Sequence, residues 1–263
     1  MIIEIESGSN KLVIDSISGG RVTECFVDDL QILGPKGDHS LIGGWYLMAP
    51  WAGRIKDNQI VYKGEKYPQE VNFQNWAIHG TVAFSEGIVK NKEENSVEIV
   101  HKTNSAWPVE MEITQKWLVT NNFIKCAAKI TSNDGEFPAE LGWHPWFKRQ
   151  LSRGSQAKFG IEAIAQYEKD ENFFTLNKTK QIGVPPFDDA FQVPTGKGFI
   201  EWPDALRIDF TSDLDTFVIF DEPKDVFCIE PQTGPPDAVN HPKHIVSPSN
   251  PLDASVKWEI TRL

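Results

Sequence analysis

Four short segments of this chain combine residue types that ordinary strands and turns do not need. They are Met48-Ala49-Pro50-Trp51-Ala52-Gly53-Arg54-Ile55, Asn75-Trp76-Ala77-Ile78-His79-Gly80, Leu141-Gly142-Trp143-His144-Pro145-Trp146-Phe147 and Val226-Phe227-Cys228-Ile229-Glu230-Pro231-Gln232-Thr233. In the first, Arg54 follows a rigid proline and small residues. In the second, Gly80 lets backbone approach whatever His79 touches. In the third, Pro145 restricts His144 to an extended backbone. The aromatics around that imidazole would hold it in one orientation, as a general acid requires. In the fourth, Glu230 follows an apolar run and precedes a proline, which places it at a strand end facing inward. A buried carboxylate without a partner or a task is costly. A carboxylate, two imidazoles and a guanidinium are a set suited to moving protons.

The chain has nine tryptophans. Trp45, Trp51, Trp76, Trp143 and Trp146 all fall close to a histidine or arginine of these segments. Indoles of this kind fill the core of a sandwich, or they wall a flat, partly apolar ligand such as a pyranose, whose C–H faces pack on the ring. The residues taken alone leave other chemistries open. His79, His144 and Glu230 would also suit a metal site of two histidines and one carboxylate. A carbohydrate-binding sandwich would use the aromatics, with His144 merely donating a hydrogen bond. A glycosidase is disfavoured, because only one carboxylate lies in a motif and that chemistry generally needs a pair.

The elements that must position these residues are strands. Residues 109–114 alternate apolar and polar, and after Asn121-Asn122 the alternation resumes through Ile124, Cys126, Ala128 and Ile130, which predicts a hairpin. Residues 59–67 predict another, with Lys63-Gly64-Glu65 at its tip. Residues 96–103, 217–220 and 256–261 read as further strands, and 155–168 fits alternation better than a helix broken by Gly160. The expected fold class is all-β, a large twisted antiparallel β-sandwich forming one domain over 1–263.

Composition agrees with a globular protein: 263 residues, 40% hydrophobic and 24% charged, enough to bury a core without staples. With 26 basic against 37 acidic side chains the net charge is −11, which disfavours nucleic acid and anionic lipid as partners. The acidic start Met1-Ile2-Ile3-Glu4-Ile5-Glu6 does not resemble a signal peptide. The uncharged stretch 41–53 is too short to span a bilayer. Cys25, Cys126 and Cys228 read as reduced core thiols, and the expected location is cytoplasmic.

Taken together, the four segments resemble the aldose 1-epimerase (galactose mutarotase) family. Its succession of Pro-Trp-Ala-x-Arg-Ile, His-Gly, Gly-x-His-Pro-aromatic-Phe and Cys-x-Glu-Pro-Gln-Thr stands here in order, and the similarity runs from Ser18-Gly19-Gly20-Arg21 to Trp258-Glu259-Ile260. The resemblance implies a β-supersandwich that interconverts the α and β anomers of a free aldohexose. It implies Glu230 as base and His144 as acid, with His79 and Arg54 binding hydroxyls and ring oxygen, and Trp143 at the sugar. Within Pro186-Phe187-Asp188-Asp189-Ala190-Phe191 it points to Asp188 for a sugar hydroxyl, with Asp189 left open. Gly53 stands where relatives often carry asparagine. No cofactor or metal is implied, and the expected partner is a small sugar, bound by a monomer or homodimer. The alternatives are a hexose-6-phosphate 1-epimerase, for which Lys148, Arg149 and Arg153 are the nearest cations, and the non-catalytic binding module.

Overall fold

The computed structural model describes residues 1–35 and 37–263, with Asn177 described by its backbone alone. Its strands build two large antiparallel sheets. The larger, of 11 strands, has at its centre Arg21–Val27, Trp45–Met48, Gly142–Lys148, Val226–Gln232, Thr216–Phe220 and Asp188–Gln192, hydrogen-bonded in that order. The smaller, of eight strands, includes Ser96–Lys102, Met111–Val119, Phe123–Ser132 and Leu252–Arg262. Between the sheets lies the main core. There Trp45 of the larger sheet stacks on Trp258 of the smaller at 3.7 Å and meets Trp117 edge-on at 4.6 Å. Aromatic pairs of this kind add about 0.5–1.5 kcal/mol each beyond the area they bury.

Both expected hairpins form. Met111–Val119 pairs with Phe123–Ser132 around the Asn121-Asn122 turn. Gln59–Tyr62 pairs with Glu65–Pro68 across Lys63 and Gly64, both at positive φ as a tight two-residue hairpin requires. The first hairpin begins at Met111 rather than Val109, because the chain after Pro108, which has no N–H to donate, is still turning after placing Trp107 in the core. Residues 155–168 are extended but serve two sheets: Lys158–Ile161 belongs to the smaller and Ala165–Lys169 to the larger.

Central strands of the larger sheet are buried on both faces; all four residues of Trp45–Met48 are covered. Odd-numbered side chains such as Trp45, Leu47, Trp143 and Phe147 enter the main core. Tyr46, Met48 and the half-buried Trp146 pack on the outer face against Leu41, Ala52, Ile78 and Phe73, a second apolar cluster supplied by the segments around residues 52 and 78. The four chemistry-bearing segments meet on that covered outer face. Among the described residues no helix is long and apolar enough to cross a membrane.

Candidate active site

Side chains alternate along a strand, so cross-strand register decides which groups meet. His144 stands opposite Tyr46. On its other side Trp146 is opposite Cys228 and Gly142 opposite Gln232, which brings Glu230 beside His144. Glu230 is opposite Val218, and Val218 opposite Ala190, two residues along the strand from Asp188. The imidazole Nε2 of His144 lies 3.2 Å from Oε1 of Glu230. Only 5% of His144 and 2% of Glu230 is exposed, so this contact is shielded from water. Tyr46 and Trp146 stack on the His144 ring at 4.9 and 5.1 Å and fix its plane.

Loops over this face add the remaining groups. His79 sits edge-on to His144 at 5.1 Å, and its Nδ1 accepts the Gly53 N–H. Its backbone has φ 59, a conformation costly for a residue with a Cβ. Asn72 holds it there, accepting the Ile78 N–H and donating to the carbonyls of Ile78 and Gly80. Gly80 is required because a Cβ would lie 2.0 Å from the Ala49 carbonyl oxygen. Arg54 approaches Asp188 at 3.8 Å, and its guanidinium lies over the Phe173 ring at 4.7 Å. Lys169 shares that ring at 4.6 Å and pairs with Asp189 at 3.0 Å. A cavity lined by Arg54, Lys169, Phe173, Asp188 and Val218 adjoins Glu230 through Val218. Of the two aspartates it is Asp188 that faces Arg54 and Glu230; Asp189 is engaged by Lys169.

Burial governs the charges. It raises Glu230 well above the usual carboxylate range, with the charge of Asp188 adding and that of Arg54 opposing. It lowers His144 to about 3 and His79 well below the ordinary imidazole value. The carboxylate beside an imidazolium that reference pKa values suggest is thus disfavoured in the resting site. Burial thus favours a protonated Glu230 beside a neutral His144, and a proton moved from the first to the second would create base and acid with no change in total charge.

Trp143 requires a correction. It shares no face with His144; it is 1% exposed in the main core, where Trp45, Phe147 and Trp258 surround it. Alternation alone identifies Trp146 as the indole on the histidine's side. Trp45 and Trp51 are likewise core residues, while Trp76 stands at the outer face against Phe174 at 5.3 Å. The metal reading loses His79, which is outside the tight grouping of His144, Cys228 and Glu230. Burial raises the Cys228 thiol well above its ordinary value, with the neighbouring Glu230 and Asp188 adding, so the thiolate that a metal would need is disfavoured there. Gly53 also gains an explanation: it has φ 71, and a Cβ would lie 2.9 Å from Cα of Pro236, leaving no place for an asparagine.

Sequence reasoning missed the residues that anchor the Arg54 loop. Asp237 accepts the Lys56 N–H at 2.9 Å and donates its own N–H to the Arg54 carbonyl. Glu140, 5% exposed, accepts the Ala52 N–H at 3.5 Å, while its own N–H bonds the Pro50 carbonyl. Burial raises Glu140 from 4.5 to about 8, with Asp237 contributing. Because the folded value exceeds the unfolded one, this stabilisation is full below pH 4.5 and is lost as pH rises to about 8. Glu140→Gln keeps the neutral shape and removes the titration. Urea denaturation should show the variant gaining on the wild type between about pH 5 and pH 8; a constant difference would place the charge elsewhere.

Comparisons with known proteins bear on the family and the fold. The family model described as aldose 1-epimerase matches residues 1–254. The uncharacterized protein YphB of Escherichia coli K12 is 23% identical over 92% of this chain and 91% of its own. A galactose mutarotase-like protein from Clostridium acetobutylicum superposes with a TM-score of 0.85 at 18% identity, covering 100% of this chain and 95% of that one. An aldose epimerase homologue from C. elegans gives 0.82 at 15% identity, covering 100% and 99%. With its covered outer face, its histidine–glutamate contact and a family match over nearly its whole length, the chain belongs to the aldose 1-epimerase family.

Proposed function

We propose that this protein, acting as one catalytic domain over 1–263, interconverts the α and β anomers of a free aldohexose. The observation that carries the reading is the buried 3.2 Å contact of His144 Nε2 with Glu230 Oε1, close enough for one proton to pass between them. When that proton lies on His144, Glu230 takes the proton of the C1 hydroxyl and His144 protonates the ring oxygen. The C1–O5 bond opens to the aldehyde, rotation about C1–C2 exposes the other carbonyl face, and the reverse steps close the ring. Arg54, His79 and Asp188 supply donors and acceptors for hydroxyls around the reacting carbon, and Trp146 and Trp76 supply apolar surface. Arg54 also favours the ionised form of Glu230. Both groups end each turnover as they began, so the cycle needs no cofactor.

The unphosphorylated sugar is favoured by what the nearby cations do. Arg149 is spent on the carbonyls of Pro223 and Asp221 and lies over Phe227. Arg153 pairs with Asp29 at 2.8 Å on the surface. Lys148 lies on the face of His144 but four residues along, about 13 Å at strand rise. Arg54 and Lys169 are each balanced by an aspartate. Polarimetry of freshly dissolved α-glucose, α-galactose and α-glucose 6-phosphate tests the reading. Faster approach to equilibrium rotation is expected for the free sugars. A salt-sensitive advantage of tenfold or more for the phosphate would favour the phosphate branch, and binding without acceleration would favour a binding module.

A further inference from the structure

Ser18-Gly19-Gly20-Arg21 contributes nothing to the site as described so far, yet the fold invests heavily in placing its arginine. Arg21 is fully buried. Gly19 and Gly20, at φ 72 and 64, turn the chain inward beneath Gln115, which donates to the Gly19 carbonyl. Gly44, at φ 70, packs against the same strand: a Cβ there would lie 2.5 Å from the Val22 carbonyl oxygen and 3.3 Å from Cδ of Arg21. The guanidinium Nη1 donates to the carbonyls of Ile42 and Gly43 at 3.1 and 3.3 Å. Its Nε and Nη2 have no hydrogen-bond partner among the described residues. The guanidinium carbon lies 5.1 Å from the centre of the Tyr46 ring.

Strand order gives this placement its meaning. Arg21–Val27 flanks Trp45–Met48 on one side and Gly142–Lys148 flanks it on the other. Arg21, Tyr46, His144 and Glu230 therefore form a row across four adjacent strands, with the Tyr46 ring between the cation and the imidazole. We propose that Arg21 is a positioning residue for His144, acting through Tyr46; the proposal rests on His144 being the acid. The cation holds the Tyr46 ring, which is also tied by its hydroxyl to the Leu41 carbonyl, and the ring holds the imidazole with Nε2 toward Glu230. A fixed positive charge at the end of the row also makes the imidazolium a stronger acid, while the base lies on its far side. The other ionisable groups facing His144 are Glu230 and Cys228 on one neighbouring strand, Tyr46 on the other and His79 from the covering loop. Of these only Glu230 and His144 exchange protons in the reaction. Burial works against the charge of Arg21, and Asp15 offsets part of that effect.

The test compares wild type with Arg21→Met, Arg21→Lys and Tyr46→Leu, folding being checked by near-ultraviolet circular dichroism. Polarimetry supplies kcat, KM and the pH profile, and long-range ¹H–¹⁵N histidine spectra report His144 directly. Arg21→Met should lower kcat by about tenfold with KM changed less than about twofold, the pattern of a lost transition-state contribution. It should also move the His144 titration and the acid limb of the profile up by about one pH unit, the scale of one charge across about 10 Å at an effective dielectric near 20. Arg21→Lys should keep the profile, and Tyr46→Leu should reproduce the loss in kcat with the cation in place. A folded Arg21→Met with unchanged kcat and unchanged His144 titration overturns the proposal. Should that variant not fold, a folded Tyr46→Leu with wild-type kcat overturns it instead. A shifted His144 titration in a protein that accelerates no anomerisation would leave the row standing and refute the proposed function.

Discussion

Glu230→Gln is expected to lower kcat for mutarotation by roughly 10²–10⁴-fold, the span usual for a positioned acid–base group. Glutamine has the size and shape of the protonated carboxyl that burial already favours at this position, so the fold and the half-shielded sugar contacts should persist. What disappears is the ability to become a carboxylate when the contact proton moves to His144. KM should therefore change far less than kcat, and thermal unfolding should stay near that of the wild type. Retention of more than about half the activity would assign the base to another residue and end the mechanism proposed here.

His144→Asn is expected to cost a similar roughly 10²–10⁴-fold in kcat. The amide reaches only as far as the ring Nδ1, leaving nothing at the site of Nε2, and it cannot take up and release a proton. In the proposed cycle one proton passes between Glu230 and His144 across their 3.2 Å contact, so the two would act as a unit. The double variant should be little slower than the worse single variant, since either change alone already disables the exchange. Rate losses that multiply in the double variant would show two independent groups, each with its own proton, and would overturn the shared-proton description.

Much of this architecture is legible in the chain because it depends on local chemistry. The Asn121-Asn122 hairpin and the Lys63-Gly64 hairpin formed where alternation and turn residues called for them. Alternation was plain in Met111–Val119, which is covered on one face only. It was invisible in Trp45–Met48, where both faces are buried and every residue must be apolar or partnered. Trp143 and Trp146 show the cost of reading a motif as a cluster rather than as a strand: three residues apart, they stand on opposite faces, and only Trp146 touches the imidazole.

The residue types for proton transfer, the glycines at positive φ and the order of strands and turns are properties of the sequence by itself. They follow from steric limits and side-chain chemistry that act within a few residues. Only the tertiary structure disfavours separate ions at Glu230 and His144, because desolvation depends on everything packed around them. Only it decided that Asp188 rather than Asp189 meets Arg54, and that Arg149 is held by backbone carbonyls. Register between strands distant in the chain determines those pairings. No local pattern records it, since the same alternating strand can pair in either register until its partners and their buried faces select one.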